Sequence, residues 1–255
     1  MDEQALTGYL RRIGVGRPVA ADEATLRELH QAHLLAVPFE NLSIHLSETI
    51  TLDEDALLGK IVTGRRGGFC YELNGAFALL LEALGARVRR VAARVYGQDG
   101  LGPPFDHLAL IVDLPDGSGP WLADVGFGSH STYPLRLASG PEQPDPGGLF
   151  RLAAAADTDL DVFKDAEPQY RIELRERALA DFVPTCWWQQ TSPESHFTRS
   201  TICSRLTPDG RISISGHTLI RTSGGSRAEQ LLASDEVLAA YRELFGISLD
   251  RVPGS

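Results

Sequence analysis

Three cysteines occur in the 255 residues, at positions 70, 186 and 203. Only Cys70 combines a glycine approach with a helix-like stretch behind it, in RRGGFCYELNGAF, residues 65–77. A thiol at a helix N-terminus meets the positive end of the helix dipole, which favours the thiolate. Nucleophilic use of that thiol needs a base, and histidine is the best one near neutral pH. Of the seven histidines, His107 in FDHLAL stands at the entry to a strand-like segment, not on an apolar helix face. Asp124, in WLADVGFG, stands near the end of the apparent partner strand. A hairpin closing around residues 115 and 116 would set His107 opposite Asp124, where the carboxylate can orient the imidazole. Cys70, His107 and Asp124 are therefore the candidates for nucleophile, base and orienter. Gly67 and Gly68 allow a tight turn with room for substrate. Free N–H groups of the first helical turn can face an oxyanion. Gly126 and Gly128 follow Asp124 and can flank the same cleft, with Phe127 as an aromatic wall.

Each feature alone has an ordinary reading. Most intracellular cysteines are packing residues, and to this role we assign Cys186 and Cys203, which lack a helix start and a glycine approach. His30 and His33 lie among leucines and read as structural. A lone His107 is ordinarily a satisfied structural histidine, and Asp124 before Val-Gly could be a turn acid. The joint arrangement carries the reading.

Composition narrows the class. Apolar residues make up 43% and charged residues 23%, an ordinary globular balance. The net charge is −10 with no basic stripe, which argues against nucleic-acid binding and anionic membranes. Three cysteines with no C-x-x-C or H-x₃-H spacing suggest neither a disulfide framework nor a zinc site, so no metal is expected. MDEQALTGYLRR builds no signal-like apolar run, and no segment is apolar enough to span a membrane. A soluble, cytoplasmic enzyme is expected.

The positioning elements follow from periodicity. Leu6, Tyr9 and Leu10 share one helical face; Asp22 caps a second helix carrying Leu26, Leu29, His33 or Leu34, and Val37; Asp53 caps a third. A fourth starts near Cys70 and ends at Gly85. Beyond Gly85 the pattern alternates, with strands expected at ARVRRVAARVYG, DHLALIVDLP, PWLADVGFG, LFRLAAA, VFKDA, QYRIELRE, TICSRLT and RISISGHTLIRT. SGPEQPDPGG, residues 139–148, reads as a loop, and Ser234 as the cap of a last helix. Helices, then strands, then a short helix give the α+β class.

RRGGFCYELN, DHL and ADVGFG, in that order, resemble the arylamine N-acetyltransferases, as do PFENLSIHL at 38–46 and PLRL at 134–137. The resemblance runs over roughly residues 5–225 and rests on the motifs in combination. It implies an N-terminal helical bundle carrying the nucleophile (residues 1–85), a central β-barrel carrying His and Asp (86–200) and a C-terminal α/β lid (201–255) around a cysteine-protease-like Cys-His-Asp core. Matched residue by residue, that triad is Cys70, His107 and Asp124. The implied reaction is ping-pong. Acetyl-CoA, the co-substrate, acylates Cys70, and an arylamine, arylhydrazine or arylhydroxylamine then takes the acetyl group. An apolar pocket walled by Phe69, Phe105, Phe127 and Phe197 is expected, and Gly102 would let the pantetheine arm approach. Bacterial members often carry a further C-terminal helix; without one after RVPGS a more open cleft is expected. The related ansamycin amide synthases use the same acyl-cysteine chemistry to close a polyketide macrolactam, with an acyl carrier protein as partner, and they stand as the alternative. Cysteine proteases, transglutaminase-like enzymes and a non-catalytic binding protein fit the ordered motifs less well.

Overall fold

The structure is a computed structural model and describes residues 1–18 and 20–254. Helices α1 (Glu3–Ile13), α2 (Glu23–Ala36), α3 (Leu42–His45), α4 (Glu54–Leu58) and α5 (Cys70–Ala83) fill the first third of the chain. Asp2, Asp22 and Asp53 cap α1, α2 and α4, each accepting a backbone N–H three residues on at 2.8–2.9 Å. Gly85 follows α5 with φ 96°, the left-handed conformation that ends helices. Leu6, Tyr9, Leu10, Leu26 and Leu29 pack with α5 into one core.

The strands are β1 (Phe39–Glu40), β2 (Arg87–Gly97), β3 (Gly100–Leu101), β4 (His107–Asp113), β5 (Trp121–Ala123), β6 (Leu135–Arg136), β7 (Glu142–Asp145), β8 (Gly148–Ala154), β9 (Leu160–Lys164), β10 (Glu167–Arg177), β11 (Ile202–Thr207), β12 (Gly210–Ser215), β13 (Thr218–Ser223) and β14 (Ser226–Leu231). Two further helices are α6 (Val183–Thr191) and α7 (Ser234–Ala240). The larger sheet runs β6-β5-β4-β2-β10-β9-β8-β7, with β3 beside β2. It curls until its ends nearly meet: the Arg136 N–H donates to Gln143 Oε1 at 2.7 Å, and Gln143 Nε2 donates to the Arg136 carbonyl at 3.0 Å. The class is mixed α and β with a nearly closed barrel-like sheet.

Strand β4 is buried on both faces, and its alternation sorts two cores. Leu108, Leu110 and Val112 face the helices. Ala109 and Ile111 face the barrel interior with Leu122, Phe150, Val162, Tyr170 and Ile172. By the same two-residue period, His107 and Asp124 fall on the interior side. The smaller sheet, β1-β11-β12-β13-β14, has its own core of Cys203, Ile212, Ile214 and Leu219 against α7.

Several expectations are corrected. The β4–β5 hairpin pairs Leu110 with Ala123 and Val112 with Trp121, so Asp124 lies beyond the last rung and is not directly opposite His107. The connection is longer than a turn at 115–116 because it takes up Leu114 to Pro120. The stretch 139–148 is not all loop: Glu142–Asp145 forms β7, whose Pro144 is tolerated at the end of the sheet path. RISISGHTLIRT is two strands broken at Gly216, and β14 and α6 lie outside the expected elements. Ala233, not Ser234, occupies the cap of α7, and Glu236 accepts the Ala233 N–H at 2.7 Å.

Candidate active site

Cys70 is the first residue of α5 and is 4% exposed. Behind it, the Glu72 carboxylate turns back to accept the Phe69 N–H at 3.2 Å and pairs with Lys60 Nζ at 2.6 Å. The approach through Gly67 and Gly68 lies against residues 38–40. Glu40 N–H donates to the Gly68 carbonyl at 2.8 Å, and a Cβ at Gly67 would fall 1.8 Å from the Pro38 carbonyl oxygen. PFEN therefore braces the turn that leads into Cys70. Glu40, fully buried, accepts from Arg66 Nε at 3.0 Å and from the Leu42 N–H at 2.7 Å. Asn41 Nδ2 donates to the carbonyls of Phe197 and Ser200 at 2.8 and 2.9 Å.

His107 and Asp124 are 3% and 2% exposed, and Nε2 of the imidazole lies 2.7 Å from Asp124 Oδ2. This leaves Nδ1 as the ring nitrogen open towards Cys70, which acts on the imidazole charge. Burial opposes a charge on His107, but the Asp124 carboxylate and its hydrogen bond, with Cys70 adding to them, hold the imidazole up at about 10. Burial also opposes the Asp124 charge, and the facing imidazolium overcomes it, keeping that carboxyl well below the usual range. The arrangement sets a thiol beside an imidazole that a buried carboxylate orients.

Residues outside the sequence reading fix Asp124. Asn74, one turn along α5 from Cys70, donates to Asp124 Oδ1 at 2.8 Å and to the Leu108 carbonyl at 2.6 Å, and its Oδ1 accepts the Val125 N–H at 2.9 Å. His30, read as structural, accepts the Asp124 N–H on Nε2 at 3.1 Å and donates from Nδ1 to the Thr132 carbonyl at 2.9 Å. Gly126 N–H donates to Asp124 Oδ1 at 3.0 Å. A Cβ on Gly126 would sit 2.7 Å from Cys70 Cα, so glycine lets the strand end meet the helix start. The polar residue one turn beyond Cys70, Asn74, is the sequence signal for this clamp.

Cys70, His107, Phe127, Gly126, Phe197 and Gly102 line one cavity of about 680 Å³, with Phe39, Trp188, Gln189 and His196 completing much of its wall. Three expected wall residues are placed elsewhere. Phe69 is fully buried against Tyr71 and Phe197; Phe105 packs on Phe182 and under the Arg177 guanidinium; Gly128 is a left-handed turn residue outside the lining. Aromatic residues beside the motifs were read as walls, whereas the chain uses two of them as the packing behind. Cys186 and Cys203 are buried, and burial pushes both thiols up.

The chain matches the N-acetyltransferase family model over residues 22–253. It is 34% identical to the arylamine N-acetyltransferase of Escherichia coli K12 over 253 residues, spanning 96% of this chain and 89% of that one. The solved arylamine N-acetyltransferase of Mycolicibacterium smegmatis superposes with a TM-score of 0.90 at 36% identity, covering 98% of this chain and 93% of its own. That of Mycobacterium marinum in complex with CoA gives 0.87 at 35% identity, covering 95% and 92%. With its helical first third, nearly closed barrel and thiol at the start of α5, this enzyme belongs to the arylamine N-acetyltransferase family.

Proposed function

We propose that the chain moves an acetyl group from acetyl-CoA to an aromatic amine by a ping-pong route through acetyl-Cys70. The observation that carries this is the buried His107–Asp124 pair at 2.7 Å, with Cys70 acting on the same imidazole and both Cys70 and His107 lining one cavity. The Cys70 thiolate attacks the thioester carbonyl carbon. The new C–S bond forms, the bond to the coenzyme sulfur breaks, and the departing thiolate takes a proton from the His107 imidazolium. Backbone N–H groups at the start of α5 support the tetrahedral oxyanion. In the second half, the amine nitrogen attacks the acetyl carbonyl of acetyl-Cys70. His107 accepts the amine proton, the Cys70 thiolate leaves, and the N-acetyl product departs. A thioester is activated towards amines, so the intermediate suits aminolysis.

Names of the relatives support the donor and acceptor classes. The CoA complex supports a coenzyme thioester, and the family name supports an arylamine. Domain roles follow the same division: residues 1–85 carry the nucleophile, 86–200 the base and aspartate, and 201–255 the covering lid. The test is intact-protein mass spectrometry after incubation with acetyl-CoA alone, beside Cys70→Ala. A single acetyl gain on wild type, none on the variant, and discharge by an arylamine are expected. A wild type that stays unmodified while Cys70 still alkylates fast would overturn acetyl-CoA as donor. Acylation by a carrier-linked thioester would then mark an amide synthase.

A further inference from the structure

The wall of the Cys70 cavity carries three carboxylates, Asp99, Asp106 and Glu194, and no lysine or arginine among the described residues. Its histidines act on Asp106 only at a distance and form no ion pair with it among the described residues. His107 is committed to Asp124 and Cys70, and burial lowers His196. Asp99 and Glu194 are exposed at the mouth, whereas Asp106 is half-buried next to His107 in the chain. The Asp106 carboxylate receives only neutral donors: Gln189 Nε2 at 2.8 Å on Oδ1 and the Val95 N–H at 3.3 Å on Oδ2. Among the described residues no lysine, arginine or histidine pairs with it, although Arg66 and Arg171, elsewhere in the chain, each face a carboxylate.

Its position is held from both sides. A Cβ on Gly102 would fall 2.3 Å from Asp106 Oδ2, so that loop closes tightly over the carboxylate. Ser195 Oγ donates to Gln189 Oε1 at 2.6 Å, fixing the amide that donates to Asp106. A half-buried carboxylate at an aromatic-walled cavity, with no ion pair of its own and only the more distant charges of His107 and His196 acting on it, is an arrangement that a cation from outside the chain can complete.

We propose that the acceptor amine carries a second, positively charged group, such as an alkylammonium or amidinium, seated against Asp106 while the aryl ring lies on the aromatic wall. Asp106 is then a specificity-determining residue that takes no part in proton transfer. The inference deepens the acyl-transfer reading of Cys70 and rests on it for the identity of the reacting amine. Aryl amines bearing a carboxylate are the disfavoured class.

The test compares (4-aminobenzyl)trimethylammonium with 4-neopentylaniline, which has nearly the same shape and no charge, and with 4-aminophenylacetate. Dissociation constants are measured on the unacylated enzyme, and KM and kcat on discharge of acetyl-Cys70. Asp106→Asn should lower the cation-to-neutral affinity ratio at least about fivefold, the effect of one unit-charge contact at about 4 Å in a water-like dielectric. The change should appear in KM with kcat nearly unaltered. Glu194→Gln, at the exposed mouth, should lower the ratio less and guards against misfolding of the first variant. A ratio unchanged in Asp106→Asn, or tighter binding of the anion by wild type, overturns the inference. Acetyl adduct formation is read separately. An adduct without charge selectivity sinks this inference alone, and selectivity without an adduct sinks the acetyl-CoA reading alone.

Discussion

Asp124→Asn separates the charge of the aspartate from its shape. The imidazole of His107 stands at about 10 instead of 6.5, because the Asp124 charge and hydrogen bond outweigh the burial that lowers it. Asparagine removes the charge and leaves the burial, so His107 should fall below 6.5. A drop of more than three units corresponds to about 4–5 kcal/mol of lost imidazolium stabilisation at ~1.4 kcal/mol per unit. The hydrogen-bond polarity also reverses. The amide introduced at position 124 must keep its oxygen for the Asn74 and Gly126 donors, so its NH₂ faces His107 Nε2. That locks the proton on Nδ1 and turns a donor towards Cys70, which the ring then cannot deprotonate. Loss of a positioned base costs about 10²- to 10⁴-fold. The assay is iodoacetamide alkylation of Cys70 from pH 5.5 to 9.5, with single-turnover acetylation in parallel. Wild type should alkylate at a nearly constant rate through neutral pH. The variant should be slow there and rise only as a free thiol near 8.5 would. A variant with the wild-type profile, or acetylating within threefold of wild type, would refute the role given to the pair.

Three further outcomes are expected. His107 is raised in the folded chain, so its contribution to stability is complete below pH 6.5 and is lost as pH climbs through about 10. Urea midpoints of wild type and His107→Gln should therefore converge over that window, and a constant gap would contradict the linkage. Arg66→Met strands the fully buried Glu40 carboxylate and should cost about 3–5 kcal/mol, partly recovered by adding Glu40→Gln, as measured by urea unfolding. Under native conditions Ellman's reagent should modify one thiol per chain rapidly, and none in Cys70→Ala, because burial holds the Cys186 and Cys203 thiols protonated and out of reach.

Much of this was legible because it is local. Asp22 and Asp53 stand one residue before α2 and α4, which they cap, and the stripe of Leu26 and Leu29 marks a buried face without reference to the rest of the chain. Features set by distant segments were not. The four residues of β7 become a strand only by pairing with β8, in a run whose prolines and glycine read as a loop. Strand β14 is exposed along its whole length and pairs only with β13, so no apolar alternation announces it. Phe69 and Phe197 are alike as residue types, and both are expected at the pocket. Only the packed fold turns one inward, against Tyr71, and the other to the cavity.

The hairpin shows how a partial misreading can still find the site. The expected register placed Asp124 directly across from His107, whereas the observed ladder stops at Leu110–Ala123 and is offset from it by two residues. A slip of two leaves every side chain on its original face, because the strand period is two; a slip of one would have sent His107 outward among the helices. What then brings Oδ2 to 2.7 Å from Nε2 is not the ladder. The chain leaves β5 after Ala123, and Asn74, His30 and the Gly126 amide bend Asp124 back over the barrel mouth. Two of those three partners come from helices far along the sequence, so alternation could place the aspartate on the right face but could not set its distance. Asn74 ties that distance to Cys70 itself, since it lies one turn beyond it on α5. Asn74 also donates to the Leu108 carbonyl beside His107 on β4, so a displacement of α5 carries the thiol, the aspartate and the strand of the imidazole together.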